Sequence, residues 1–293
     1  MDRTVGVIGL GIMGGAMSAN LKERGWRVIG CDVTEAACEK ARAAGVEIAA
    51  DIASLVREAP QIVTSLPTPS VVHQVMQEIA ASGADRRIVC ETSTLSLDDK
   101  ALAQTVLADA GHVLLDCPLS GTGEQAKTRD LVVYASGDTA SVQAMQPLFA
   151  DFARLAPDLG EFGNGTKMKF VANLLVSIHN VASAEAMVLG MKAGLDPRQV
   201  VELVSAGAGG SRVFELRAPL MIDESYEPAS MKVSVWQKDV SVISAFAAKL
   251  GAPTPLFHAC APLYSAAMSQ GRADQDTASV CAVLEAMAGM KRE

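Results

Sequence analysis

The stretch Gly163-Asn-Gly-Thr-Lys-Met-Lys-Phe-Val-Ala-Asn173 places two lysines and an asparagine at the head of a long apolar run. If its glycines form a turn and a helix begins near Thr166, Lys169 and Asn173 stand one turn apart on one face, and Lys167 points away into solvent. An ammonium and a carboxamide so placed can protonate a carbonyl oxygen and orient a neighbouring hydroxyl. For the reverse reaction, oxidation of an alcohol, the lysine must also reach its free-amine form, which desolvation or a nearby cation favours. A surface helix carries the same spacing by chance, so the pair takes its meaning from its surroundings.

A second constellation lies at the start of the chain. Gly9-Leu10-Gly11-Ile12-Met13-Gly14 has the spacing G-x-G-x-x-G, follows a strand-like run and opens a helical one. Gly9 permits a tight turn, Gly11 lets the backbone approach a pyrophosphate, and Gly14 lets the helix pack on the strand. The helix N-terminus offers free N–H groups and the positive end of its dipole to phosphates. Asp32, at the end of the next strand-like run, can accept from both ribose hydroxyls. No arginine follows it in Cys31-Asp32-Val33-Thr34, so a 2′-phosphate would meet a negative charge without a counter-ion. The pattern therefore favours NAD over NADP. A glycine-rich turn without a ligand is the bland alternative; FAD is a rival, but the single motif and short first domain suit a nicotinamide carrier better.

These groups need a scaffold, and the chain supplies an alternating one. Strand-like runs at 4–11, 27–33, 61–67, 86–94 and 112–121 are separated by stretches of helical apolar spacing, which predicts a doubly wound parallel sheet. One more such run, 130–138, precedes a change of pattern. Beyond Gly163 only helices are expected, broken at Gly194-Leu-Asp-Pro197, at 206–210 and at 251–255. The fold class is α/β: a Rossmann-type N-terminal domain, 1–163, followed by an all-α C-terminal domain, 164–293. The 293 residues carry a net charge of -8, which disfavours nucleic acid as a partner. The six cysteines and four histidines form no ligand cluster, so reduced structural thiols and no metal are expected. The apolar stretch around 170–192 is interrupted by Asn173, His179, Asn180 and Glu185 and reads as a buried helix, not a membrane span. A strand starting at Thr4 leaves no room for a signal peptide, which makes the cytoplasm the expected location.

The order of these motifs resembles the β-hydroxyacid dehydrogenase family. Its opening signature is matched by Gly6-x-x-Gly9-x-Gly11-x-Met13-Gly14-x-x-Met17-x-x-Asn20-Leu21-x-x-x-Gly25, its substrate segment by Asp116-Cys-Pro118-Leu-Ser120-Gly121, and its catalytic segment by Gly163-x-Gly165-x-x-x-Lys169-x-x-x-Asn173. Its Lys-Asp pair of the second domain is matched by Lys238-Asp239. The resemblance implies that Lys169 is the general acid/base, that Asn173 positions the substrate hydroxyl or Lys169, and that Ser120-Gly121-Thr122 holds a substrate carboxylate. It also puts cofactor contacts on Leu66, Pro67, Ser93 and Thr94, with Lys238 near the nicotinamide. The bland readings are that Pro67 ends a strand, Thr94 caps a helix and Lys238 faces solvent.

Several positions depart from the family pattern: Thr122 for a glycine, Arg129-Asp130 before a strand where a glycine is usual, Leu97 for a proline, Arg212 for an aromatic, and a longer segment at 226–231. They fall where substrate selectivity would be set. Arg212 can pair with an anionic group at the far end of a substrate, or simply lie on the surface. The resemblance implies an NAD-dependent oxidoreductase acting on a small 3-hydroxy acid or its semialdehyde, with a small carboxylate as its ligand. An imine reductase, or a non-catalytic NAD-binding module, is the alternative; both relatives generally lack the lysine. A homodimer or homotetramer formed through the helical half is expected.

Overall fold

A computed structural model describes residues 3–292. The chain alternates from its start: β1 (Thr4–Ile8), α1 (Ile12–Glu23), β2 (Arg27–Cys31), α2 (Glu35–Ala43), β3 (Glu47–Ile48), α3 (Ile52–Glu58), β4 (Gln61–Thr64), α4 (Pro69–Ala80), β5 (Ile88–Glu91), α5 (Leu97–Asp109) and β6 (Val113–Asp116). The six strands form one sheet in the order β3-β2-β1-β4-β5-β6, every neighbouring pair parallel. This is the doubly wound, Rossmann-type sheet that the alternation predicted. Helices cover both faces, which is why β1 is buried at every residue. Val5 and Val7 join Met17, Leu21, Phe149 and Phe152 in one core cluster, whereas Ile8 joins Ile62, Met76 and Ile79 in the other. The two-residue period of a strand sends alternate side chains to opposite layers.

The edges of the sheet differ from the sequence reading. β3 is a two-residue edge strand that no apolar run announced. The run 112–121 is not one strand: β6 stops at Asp116, and after Pro118 the short β7 (Leu119–Ser120) pairs antiparallel with β8 (Val132–Val133). Pro118 has no N–H for a ladder, so the strand ends and the chain is redirected there. Between β7 and β8 lies α6 (Gly123–Lys127), and after β8 comes α7 (Thr139–Phe152). The run 130–138 keeps only β8 as regular strand, with isolated bridges from Ser136 to Asp116, Val132 to Leu155 and Ala135 to Asp158.

The rest is helical, as expected: α8 (Asn164–Lys192), α9 (Pro197–Ala206), α10 (Arg212–Ile222), α11 (Val233–Leu250), α12 (Pro255–Ser269) and α13 (Val280–Met287), with one 3-10 turn at Thr277–Ser279. The anticipated breaks at 194–197, 206–210 and 251–255 each mark a junction between successive helices, with Pro197 and Pro255 opening α9 and α12 and Ala206 closing α9. The chain divides into two compact units, the first ending at Lys169 and the second beginning at Phe170, and α8 runs through that division. α8 is long and apolar enough to cross a membrane by length and composition. Within the second unit, however, its buried polar side chains find partners. Ser177 accepts from the Trp236 indole at 3.1 Å, and the Asn180 amide donates to the Tyr264 hydroxyl at 3.0 Å and the Thr277 carbonyl at 2.9 Å. That is the pattern of a helix buried in protein. The six cysteines are free.

Candidate functional site

The glycine motif has the geometry its spacing demands. Gly9 has φ 90, in the left-handed region, and a Cβ there would stand 2.2 Å from the Ser65 carbonyl oxygen. At Gly14 a Cβ would meet the Gly9 carbonyl at 1.8 Å, so only glycine lets α1 start so close to β1. Gly11 is different: a Cβ would meet no protein atom within 4 Å, so the space above it is open. It is the N-cap of α1, makes no side-chain cap bond, and no acidic residue occupies the first turn. Open backbone, uncapped N–H groups and the dipole end fit a pyrophosphate. Asp32 follows β2; its carboxylate accepts from the Leu10 N–H at 2.7 Å and the Thr34 N–H at 2.8 Å, which fixes it beside the motif. Each oxygen keeps a lone pair for a ribose hydroxyl.

The ends of β4 and β5 complete this rim. The Leu66 N–H donates to the Ser93 hydroxyl at 3.0 Å, tying the two loops together ahead of Pro67 and Thr94. Thr94 does not cap α5; Ser96 does, accepting from the Asp99 N–H at 3.1 Å. Thr68 caps α4, so Pro67 stands outside that helix and is exposed. Leu97 is the first residue of α5, a position where proline is well suited, which accounts for the family's preference there.

Lys169 stands in the second turn of α8 and is only 9% exposed, whereas Lys167 is exposed and donates to Asn164 at 3.0 Å. The first turn of α8 is seated on the segment leading to Ser120. A Cβ on Gly165 would lie 2.2 Å from the Tyr134 carbonyl and 2.7 Å from that of Asp116, so glycine is required there. Thr166 donates from its N–H to Asp116 Oδ2 at 2.7 Å and from its hydroxyl to Oδ1 at 2.8 Å. Asp116 Oδ1 lies 2.9 Å from the ammonium of Lys100, which also bonds Glu91; all three side chains are fully buried. Burial works against the charge on Lys100, and the Asp116 and Glu91 carboxylates more than reverse this, holding it well above the ordinary lysine value.

The Ser120 turn has its own local logic. Gly121 has φ 138, and Thr122 caps α6 in a reciprocal capping box with Gln125. Thr122, where the family has glycine, accepts the Gln125 N–H on its hydroxyl at 3.4 Å, a bond that leaves the O–H itself to donate. Arg129 adopts φ 61, which explains the glycine usual at that position.

In the second unit, Asn173 donates to Asp239 Oδ2 at 2.8 Å, and both are buried. Lys238 lies 3.2 Å from the other oxygen of Asp239. Asp239 thus joins the two sequence-predicted residues, one from α8 and one from α11. Arg212 is the first residue of α10, exposed, and 3.2 Å from Glu215 one turn on.

Comparison with known proteins bears on this arrangement. Residues 4–168 match the NAD-binding domain of 6-phosphogluconate dehydrogenase, and residues 163–284 match the NAD-binding domain of NADP-dependent 3-hydroxyisobutyrate dehydrogenase. The chain belongs to the β-hydroxyacid dehydrogenase family. As a member it is an NAD(P)-binding oxidoreductase. It is 30% identical to an L-threonate dehydrogenase of Pectobacterium atrosepticum over 95% of this chain and 93% of that one. It is 28% identical to the chloroplastic glyoxylate/succinic semialdehyde reductase 2 of Arabidopsis thaliana, over 97% and 80%. The solved structure of Mycobacterium tuberculosis 3-hydroxyisobutyrate dehydrogenase with L-serine superposes with a TM-score of 0.86 at 27% identity, covering 97% of this chain and 99% of that one.

For this β-hydroxyacid dehydrogenase, sequence reasoning missed the buried groups behind the motifs. Glu91 falls in the strand-like run 86–94 and Asp116 in the substrate segment, neither with a role of its own, and Asp239 enters only as the neighbour of Lys238. Lys100 was invisible, because a lysine after Asp98-Asp99 in an early helical turn looks like an ordinary solvated charge.

Proposed function

We propose that this chain is an NAD-dependent dehydrogenase or reductase that transfers a hydride between the nicotinamide and a small 3-hydroxy acid or its semialdehyde. The observation that carries the reading is Lys169, a lysine 9% exposed in the turn that follows the Asp116–Thr166 anchor, within the unit that also holds the glycine motif and Ser120. The bound nicotinamide supplies or accepts the hydride. Lys169 gives a proton to the nascent alkoxide oxygen, or takes it from the alcohol. Asn173, its amide fixed on Asp239, keeps its carbonyl oxygen to accept from a substrate hydroxyl or from Lys169. Ser120, Gly121 and Thr122 hold the carboxylate with hydroxyl and backbone N–H groups, Arg212 pairs with an anionic far end, and Lys238 stands at the nicotinamide. Gly9 to Gly14, Leu66, Pro67 and Thr94 contact the dinucleotide. Asp32 favours NAD, since a 2′-phosphate would face its carboxylate. A cytoplasmic homodimer or homotetramer, divided near residue 163, completes the reading.

The test is a fluorescence titration with NADH and NADPH, then a panel of L-threonate, 3-hydroxyisobutyrate, succinic semialdehyde and glyoxylate assayed with wild type and Lys169→Ala. NADH should bind more tightly, and Lys169→Ala should lower kcat by roughly 100- to 10,000-fold on any acid or aldehyde turned over. NADH binding with no turnover would favour a non-catalytic module. Reduction of cyclic imines that survives Lys169→Ala would favour an imine reductase.

A further inference from the structure

We infer that Lys100 is a positioning residue: with Asp116 it forms a buried ionic clamp that sets the first turn of α8 and, through it, Lys169. The inference rests on Lys169 being the acid/base of the proposed function. Lys100 has three donors and three acceptors within reach: Glu91 Oε2, the Glu91 backbone carbonyl at 3.3 Å and Asp116 Oδ1 at 2.9 Å. A fully buried, fully satisfied ammonium does not swing, so it fixes both carboxylates. Asp116 in turn takes both the N–H and the hydroxyl of Thr166, and the Ser136 hydroxyl, which bonds Asp116, accepts the Gly165 N–H at 2.9 Å. The first four N–H groups of a helix have no acceptor inside it. Here two of them are satisfied by side chains at the end of the sheet, so the clamp decides where α8 starts and how its first turns are rotated. Lys169 is three residues on from Thr166, less than one turn away.

The cluster carries two carboxylates and one ammonium, so its members are not equivalent. Removing Lys100 leaves two buried carboxylates without a cation. Replacing Glu91 by glutamine leaves the Lys100–Asp116 pair balanced and keeps an acceptor for the Ser93 N–H, which Glu91 Oε1 takes at 2.8 Å.

The experiment compares wild type, Lys100→Met, Asp116→Asn, Glu91→Gln and Lys169→Ala. It reads kcat per NADH-titrated site on the panel above, the Kd for NADH, and amide exchange at Gly165 and Thr166. Lys100→Met and Asp116→Asn should each lower kcat roughly 100-fold, the loss that a displacement of about 1 Å can cause, with a much smaller change in NADH affinity. Both should speed exchange at Gly165 and Thr166 by roughly tenfold or more relative to the sheet, because the Asp116 side chain that takes the Thr166 N–H, and the Ser136 hydroxyl bonded to Asp116 that takes the Gly165 N–H, are no longer held in place. Glu91→Gln should stay within about fivefold of wild type in kcat, since the balanced pair remains. Asp116→Asn retains a balanced Lys100–Glu91 pair and carries the test if Lys100→Met does not fold. A structural role alone would lower melting temperatures and leave kcat per site and the local exchange unchanged, which would overturn the inference. So would an equal loss in Glu91→Gln. If Lys169→Ala keeps full activity, or no panel compound turns over, the proposed function fails; the exchange at Gly165 and Thr166 still decides whether the clamp holds α8.

Discussion

Gly11 and Gly14 are three residues apart in one motif, yet they are glycine for different reasons. At Gly14 the missing Cβ makes room for protein, the Gly9 carbonyl; at Gly11 it leaves room for something that is not protein. Gly14→Ala should therefore destabilise the first unit by roughly 1–3 kcal/mol and weaken NADH binding as well. Gly11→Ala should leave the melting temperature unchanged and raise the Kd for NADH by about tenfold, a cost of about 1.4 kcal/mol. Thermal unfolding and NADH titration of the two variants separate these outcomes. Equal melting temperatures for both would contradict the packing role given to Gly14. The motif was legible in the sequence because a strand must end and a helix begin within it. The division of labour was not, because it depends on which atoms stand opposite each Cα.

At the scale of elements, helices whose ends carry their own signals were read correctly. Gly194-Leu-Asp-Pro197 is such a case: Asp196 caps α9, accepting from the Arg198 N–H at 2.8 Å and the Gln199 N–H at 3.0 Å, and Pro197 takes the first helical position. α9 has no fully buried residue, so its cap matters more than for a core helix. Asp196→Ala should cost about 1 kcal/mol, measured as a lower urea midpoint with an unchanged slope. Elements held by partners distant in sequence were misread or missed. β3 is two residues of edge strand, fixed by its pairing with β2. The run 112–121 looks continuous because its apolar residues serve two different sheets on either side of Pro118. The start of α8 at Asn164, earlier than expected, reflects a side-chain anchor on Asp116 fifty positions away from Thr166.

Across the whole molecule, acid should be more damaging than mild base, and the groups responsible can be named. Burial, with the Arg87 guanidinium beside it, pushes His112 below the ordinary histidine value. Its Nδ1 accepts the Arg87 N–H at 3.1 Å, which only the neutral ring can do. A group whose folded value is lowered takes up its proton more readily when unfolded. Its contribution is complete above the unfolded value near 6.5 and is lost as pH falls below it. A second loss follows at lower pH. Burial opposes the charge on Asp276, but Arg217 and the N–H groups of Ala278 and Met231 hold its carboxyl below the usual value. That contribution is present above about pH 4 and disappears as pH falls further. Melting temperature should therefore fall in two steps between about pH 6.5 and 3, and His112→Asn, whose amide oxygen can replace Nδ1 as acceptor, should flatten the first. A first step that persists in that variant would assign it elsewhere.

The sequence by itself determined what is local or periodic: the alternation that makes a parallel sheet, the glycine spacing that opens α1, the caps and breakers that divide the helices, and the Lys169–Asn173 spacing. Each depends on residues a few positions apart, so pattern and physics coincide. Tertiary structure alone decided which charges are buried and what each one holds. Lys100, Glu91 and Asp116 come from α5, β5 and β6, and Asp239 reaches Asn173 from 66 positions away. A charge in water and a charge in a core have the same letter in the sequence. Only folding, by removing the water, turns one of them into a fixed point of the site.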